Sequence, residues 1–157
     1  MTAPCHACQG ADPACCAEQA SSPFALLGVP PTLTLSKQDL EDAFHHAIRR
    51  VHPDVLDKKD PTSPLSAPRL NQAYQRLSDP YSRAVALYER ATGETLPMTT
   101  TDPDILALAM DLKEAPPEER RAARDALWTM LIALEDRQDW PAFLKTLLHY
   151  RYCRDKV

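Results

Sequence analysis

Arg49-Arg50-Val51-His52-Pro53-Asp54 is the stretch on which the fold turns. Pro53 fixes its own φ, lacks a backbone donor and pushes His52 out of the α region, so a helix arriving from upstream must stop here. The preceding residues write such a helix. Ser36 is its cap, with Asp39 three residues on as a partial capping box. Leu40, Ala43, Phe44, Ala47, Ile48 and Val51 then follow the i, i+3, i+4, i+7 pattern of a buried stripe. Asp42, His45, His46 and Arg49 fall on the opposite face, with Arg50 on its flank. A face of this kind is most often simply solvated. The corner itself holds an imidazole and a carboxylate with no apolar residue between them, so it is expected to stand in water.

Beyond the corner, residues 55–68 hold Asp57, Lys58, Lys59, Asp60 and three prolines, which read as a loop. A helix restarts near Pro68, a residue suited to a first turn, and Leu70, Ala73, Tyr74 and Leu77 form its inner stripe. It is the natural antiparallel partner of the first long helix. Asp79-Pro80 breaks and restarts the chain, and the next helix, with Tyr81, Ala84, Val85 and Tyr88 on one face, ends at Gly93. Upstream, Phe24-Ala25-Leu26-Leu27-Gly28 is a short helical turn closed by its glycine.

The second half follows the same grammar. Residues 94–103 are a linker, and Asp102-Pro103 opens a helix to about Glu114, with Ile105, Leu108, Ala109 and Leu112 inward. A rotation of about 100° per residue puts Leu106 and Met110 off that stripe, beside Ala107, Asp111 and Glu114. Either a neighbouring helix covers them or they form a docking patch. A helix over 118–137 is expected to bury Ala123, Leu127, Met130, Leu131 and Leu134. Asp139 caps a last one, with Phe143, Leu144, Leu147 and Leu148 inward, and three such helices make an antiparallel bundle.

Composition fits this outline. The chain has 157 residues with only 3 Gly but 15 Pro, the mark of helices separated by proline-bearing loops. A formal net charge of −4 argues against nucleic-acid binding. No Lys or Arg precedes Lys37, so a basic secretory or import leader is not expected, and no apolar run is long enough to span a bilayer. Four of the 5 cysteines lie in the first sixteen residues, the wrong distribution for a disulfide-stapled fold. Cys5 and Cys8 have the spacing that grips one metal, Cys15 and Cys16 are adjacent, and His6 could replace one of them. The segment is either a small zinc or iron site or a tail with incidental thiols.

Taken in order, the Phe24–Gly28 turn, the basic helix, His52-Pro53-Asp54 and Leu70-Asn71-Gln72-Ala73-Tyr74-Gln75-Arg76-Leu77 with Asp79-Pro80 resemble a J domain. Arg83-Ala84 and Leu87-Tyr88, followed by a three-helix part, resemble the narrower family of HscB (Jac-type) co-chaperones of iron–sulfur cluster assembly. The resemblance runs from Phe24 to the C terminus. After the Cys-rich tail over 1–22, it implies an all-α, L-shaped protein with a J domain over 23–93 and a three-helix bundle over 94–157. It implies a docking motif, His52, Pro53 and Asp54, with His46, Arg49 and Arg50 in the docking helix, directed at a DnaK/HscA-type chaperone whose ATPase it stimulates. Leu106, Met110, Asp111 and Glu114, with Glu118 and Tyr152 more loosely matched, would hold the scaffold protein IscU. Ala107 stands where that family often has a larger apolar residue, and the stretch from Glu114 to Trp140 is shorter. Cys15-Cys16 departs from the paired CxxC arrangement of some family members.

No Gly-rich phosphate loop and no catalytic triad is recognisable, so the expectation is a partner protein in a bacterial cytoplasm, not an enzyme. No cofactor is required, and a metal is expected only at Cys5, Cys8, Cys15 and Cys16. His45, His46 and His52 near Asp42 and Asp54 offer no pocket for acid–base or metal chemistry. Two other functions stay open: a general J-domain protein with a different client, and a metal-handling protein acting through the cysteine tail.

Overall fold

The computed structural model describes residues 22–51 and 66–154. Among them there are helices and no strand: α1 (Pro23–Leu27), α2 (Lys37–Arg50), α3 (Ala67–Ser78), α4 (Pro80–Thr92), α5 (Pro103–Glu114), α6 (Pro117–Arg137) and α7 (Trp140–Cys153). None of these helices is long and apolar enough to cross a membrane. The chain divides into two compact units after Gly93.

Five of the seven described helices begin at a side-chain cap. The hydroxyls of Ser22 and Ser36 accept from the amides of Ala25 and Asp39, and the carboxylates of Asp79, Asp102 and Asp139 accept from Ser82, Asp104 and Ala142. These side chains satisfy amides that have no partner within the helix. Gly28 (φ 68°) and Gly93 (φ 73°) close α1 and α4 in the left-handed region. Gln138 does the same after α6 at φ 55°, and its amide and that of Asp139 reach back to the last turn. Asp79 ends α3 and caps α4, so these two helices meet at one residue.

In the first unit, α3 packs against α1, α2 and α4, and α1 also touches α2. The core is Phe24, Leu27, Leu33, Leu35, Leu40, Leu70, Ala73, Leu77, Ala84, Leu87 and Tyr88. Two expectations change here. Of the α2 stripe only Leu40 is buried; Phe44 is half-buried, its ring lying 4.6 Å from that of Tyr74. On α4 the inner face is rotated: Tyr81 and Val85 are half-buried, while Arg83, Ala86 and Leu87 are buried. Arg83 is the reason. Its Nε donates to the carbonyl of Leu77 at 2.8 Å, and its Nη1 donates to those of Leu33 and Leu35 at 3.0 and 2.9 Å. Three carbonyls from two separate segments draw this cation inward, and burial lowers its pKa despite the carboxylate of Asp79.

In the second unit, α7 packs against both α5 and α6. That double coverage explains why Phe143, Thr146, Leu147, Leu148, Tyr150 and Cys153 are all buried on α7, more than one stripe supplies. On α6 only Leu131 is fully buried, and Ala123, Leu127 and Leu134 are half-buried. Met130, expected inside, is 53% exposed; its sulfur alone turns back to meet the Thr146 hydroxyl at 3.6 Å. Packed mainly against α7, α6 needs only the narrow stripe of Leu127, Leu131 and Leu134, and Met130 falls outside it.

Candidate functional site

Two surfaces, one in each unit, carry the residues singled out above. On α2, the Ser36 cap fixes the start of the helix, with its hydroxyl also donating to Asp39 Oδ2 at 2.6 Å. Leu40 is sunk into the core, which turns Asp42, His45, His46, Arg49 and Arg50 outward, all exposed. Arg49 and Arg50 sit in the last turn, where the helix dipole favours cations. His46 and Arg50, four residues apart, line the same groove against α1, and Arg49 is not among its lining residues. His52, Pro53 and Asp54 lie outside the described residues, as do Cys5, Cys8, Cys15 and Cys16.

On α5, Ile105 and Leu112 are 1% and 7% exposed and fix which side faces α7. The opposite side then carries Leu106 and Met110, 42% and 72% exposed, so no helix of this unit covers them. Asp111 and Glu114 are exposed beside them, as is Ala107. Leu106, Met110 and Glu114 succeed one another at i, i+4, on one side of the helix. Glu118, in the first turn of α6, and Tyr152, 38% exposed in the last turn of α7, also face solvent but on other elements. The result is an apolar centre with a carboxylate border, the anatomy of a protein-binding patch.

Sequence reasoning missed what holds this patch in place. Lys145 of α7 reaches Asp104 at 3.1 Å and Asp102 at 3.6 Å, clamping the start of α5. The hydrogen bond to Asp104, then the charge of Asp102, raises the Lys145 pKa. Desolvation pushes the Asp102 carboxyl up, but the amides of Asp104 and Ile105 together with Lys145 outweigh it and hold it low. His149, one turn beyond Lys145, has its pKa lowered by burial and then by Lys145, against the pull of Asp102 and Asp104. Its Nε2 is buried without a hydrogen-bond partner. The spacing of Lys145 and His149 is visible in the sequence; their pairing with residues about forty positions upstream is not. Among the described residues no group of His, Cys, Asp or Glu could hold a metal ion.

Comparison with known proteins agrees with this architecture. The DnaJ domain family matches residues 22–86. The co-chaperone protein HscB homologue of Azoarcus sp. strain BH72 is 30% identical, over 79% of this chain and 82% of its own length. That of Bordetella petrii is also 30% identical, over 76% and 82%. Among solved structures, chaperone HscB from Vibrio cholerae superposes with a TM-score of 0.64 at 22% identity, covering 84% of this chain and 90% of that one. Human co-chaperone protein HscB superposes with a TM-score of 0.67 at 21% identity, covering 83% and 76%; both share the fold. Helices throughout the described residues, a DnaJ-type first unit and similarity to HscB homologues over most of their length place this protein in the HscB family of J-domain co-chaperones.

Proposed function

We propose that the chain binds an ATP-loaded Hsp70-type chaperone of the DnaK/HscA kind, stimulates its ATPase, and delivers to it an IscU-type iron–sulfur scaffold. The observation that carries the delivery half is the pair of exposed apolar side chains, Leu106 and Met110, bordered by Asp111 and Glu114. Family membership supports the chaperone half. His52, Pro53 and Asp54 are the proposed trigger, and His46, Arg49 and Arg50 the cations that steer an acidic partner towards it. A trigger acts by binding one state of the chaperone better than the other, since equal affinity would shift nothing. Glu118 and Tyr152 are assigned to the scaffold as outer contacts. The chain itself makes and breaks no bond in this scheme, and its place of work is the cytoplasm. The cysteines Cys5, Cys8, Cys15 and Cys16 are proposed as an accessory metal segment; deleting residues 1–22 should lower bound zinc or iron and leave stimulation intact.

The test is a steady-state ATPase assay with the chaperone, with and without scaffold. His52→Gln should abolish stimulation. Leu106→Ala with Met110→Ala should weaken scaffold binding at least tenfold by calorimetry, about 1.4 kcal/mol, without loss of helix content. Unchanged scaffold affinity would remove IscU as the client and leave the J-domain reading standing.

A further inference from the structure

Two adjoining grooves flank α1. One, of 670 Å³, lies between α1 and α2 and is lined in part by Leu26, Leu27, Ala43, His46, Ala47 and Arg50. The other, of 200 Å³, lies between α1 and α3, with Leu26, Arg69, Gln72 and Arg76 among its lining residues. Leu26 belongs to both and is only half-buried, so it forms a shared apolar wall. Among the described lining residues stand three guanidinium groups, those of Arg50, Arg69 and Arg76, and the carboxylate of Asp42. Arg76 is paired with Glu89, and Arg50 and Arg69 are the other two cations of the lining. In a chain of net charge −4 this is a local reversal.

We infer that these grooves form one extended docking surface across α1, occupied by a segment of the Hsp70-type partner that carries carboxylates beside aliphatic side chains. The inference rests on the function proposed above and extends it. Two of the three helix residues assigned there to chaperone docking, His46 and Arg50, line the first groove. A partner that engages both therefore meets Ala43, Ala47 and Leu26 at the same place, and apolar walls reward aliphatic side chains, not carboxylates alone. The cations continue past Leu26 to Arg69, so the partner's negative charge must continue too. Leu26 and Arg69 thereby join the chaperone-binding residues.

The experiment titrates the full chain into a DnaK-type chaperone and reads steady-state ATP hydrolysis for wild type, Leu26→Glu, Arg69→Glu and His52→Gln. Circular dichroism checks that each is folded, and Arg69→Glu, on the surface of α3, keeps the test alive if Leu26→Glu does not fold. The expected result is a tenfold rise in the concentration giving half-maximal stimulation for each groove variant, with the maximal rate unchanged. Added salt should weaken the wild type more than Arg69→Glu. If both groove variants titrate like wild type while His52→Gln is inactive, the extended surface is wrong and the proposed function survives. If wild type gives no stimulation, both fall. A wild-type dimer that Leu26→Glu dissociates, with stimulation unaltered, would assign the grooves to a second copy and overturn the inference.

Discussion

Replacing Arg83 by Met keeps the length of the aliphatic stem and removes the fork at its end. The guanidinium makes three hydrogen bonds, at 2.8, 3.0 and 2.9 Å, to the carbonyls of Leu77, Leu33 and Leu35. Hydrogen bonds from a charged donor contribute about 1.5–3 kcal/mol each, so three have a ceiling of about 9 kcal/mol. Two corrections reduce it. Burying a guanidinium costs several kcal/mol, a penalty that vanishes with the charge. The Met side chain also fills much of the same volume and gains from burial. A net loss of about 3 kcal/mol remains, and for a unit of this size that lowers the melting midpoint by roughly 15 °C. The two tryptophans, Trp128 and Trp140, both lie in the second unit. Circular dichroism should therefore show an earlier transition for Arg83→Met, while the tryptophan fluorescence transition stays in place. Arg83→Lys, which keeps the charge but cannot span three carbonyls, should fall between the two. A circular-dichroism midpoint within about 2 °C of wild type would refute the idea that this cation holds the unit together.

Phe44→Ala should cost about 2 kcal/mol by urea unfolding, less than for a fully buried ring, because Phe44 is half-buried and its main neighbour is the Tyr74 ring at 4.6 Å. Gly28→Ala should lower stability by about 1 kcal/mol through backbone strain alone, since φ is 68° and an added Cβ would meet nothing within 4 Å. His149 has a folded pKa below its ordinary value of 6.5, so the unfolded state binds the proton more tightly and stability falls as pH drops through and below that value. Tryptophan-monitored urea unfolding between pH 7.5 and 5 should show this loss, and His149→Gln should flatten it.

The helices were legible because their signals are local. Ser36, Asp102-Pro103 and Asp139 mark helix starts through groups one turn away, and Gly28 and Gly93 mark ends through their own φ. The outward placing of Leu106 and Met110 was legible too, because a rotation of 100° per residue needs no knowledge of the neighbours. What failed was whatever depends on a distant partner. Arg83 was not among the residues expected inside, and it is drawn inward by the carbonyl of Leu77 and by two carbonyls some fifty positions upstream. Met130 reads as core, but α6 packs mainly against α7 and uses a narrower stripe. The grip of Lys145 on Asp104 spans 41 positions and left no trace in either segment alone.

The corner at Asp79 has no slack. One residue finishes one rod and begins the next, and four positions later comes the cation that binds both sides of the bend. An extra residue between Leu77 and Arg83 would turn everything after it by about 100° and swing that cation away from its anchors. Sequences built on this plan are therefore free to vary the number of residues in their loops, but the count from Leu77 to Arg83 should be invariant.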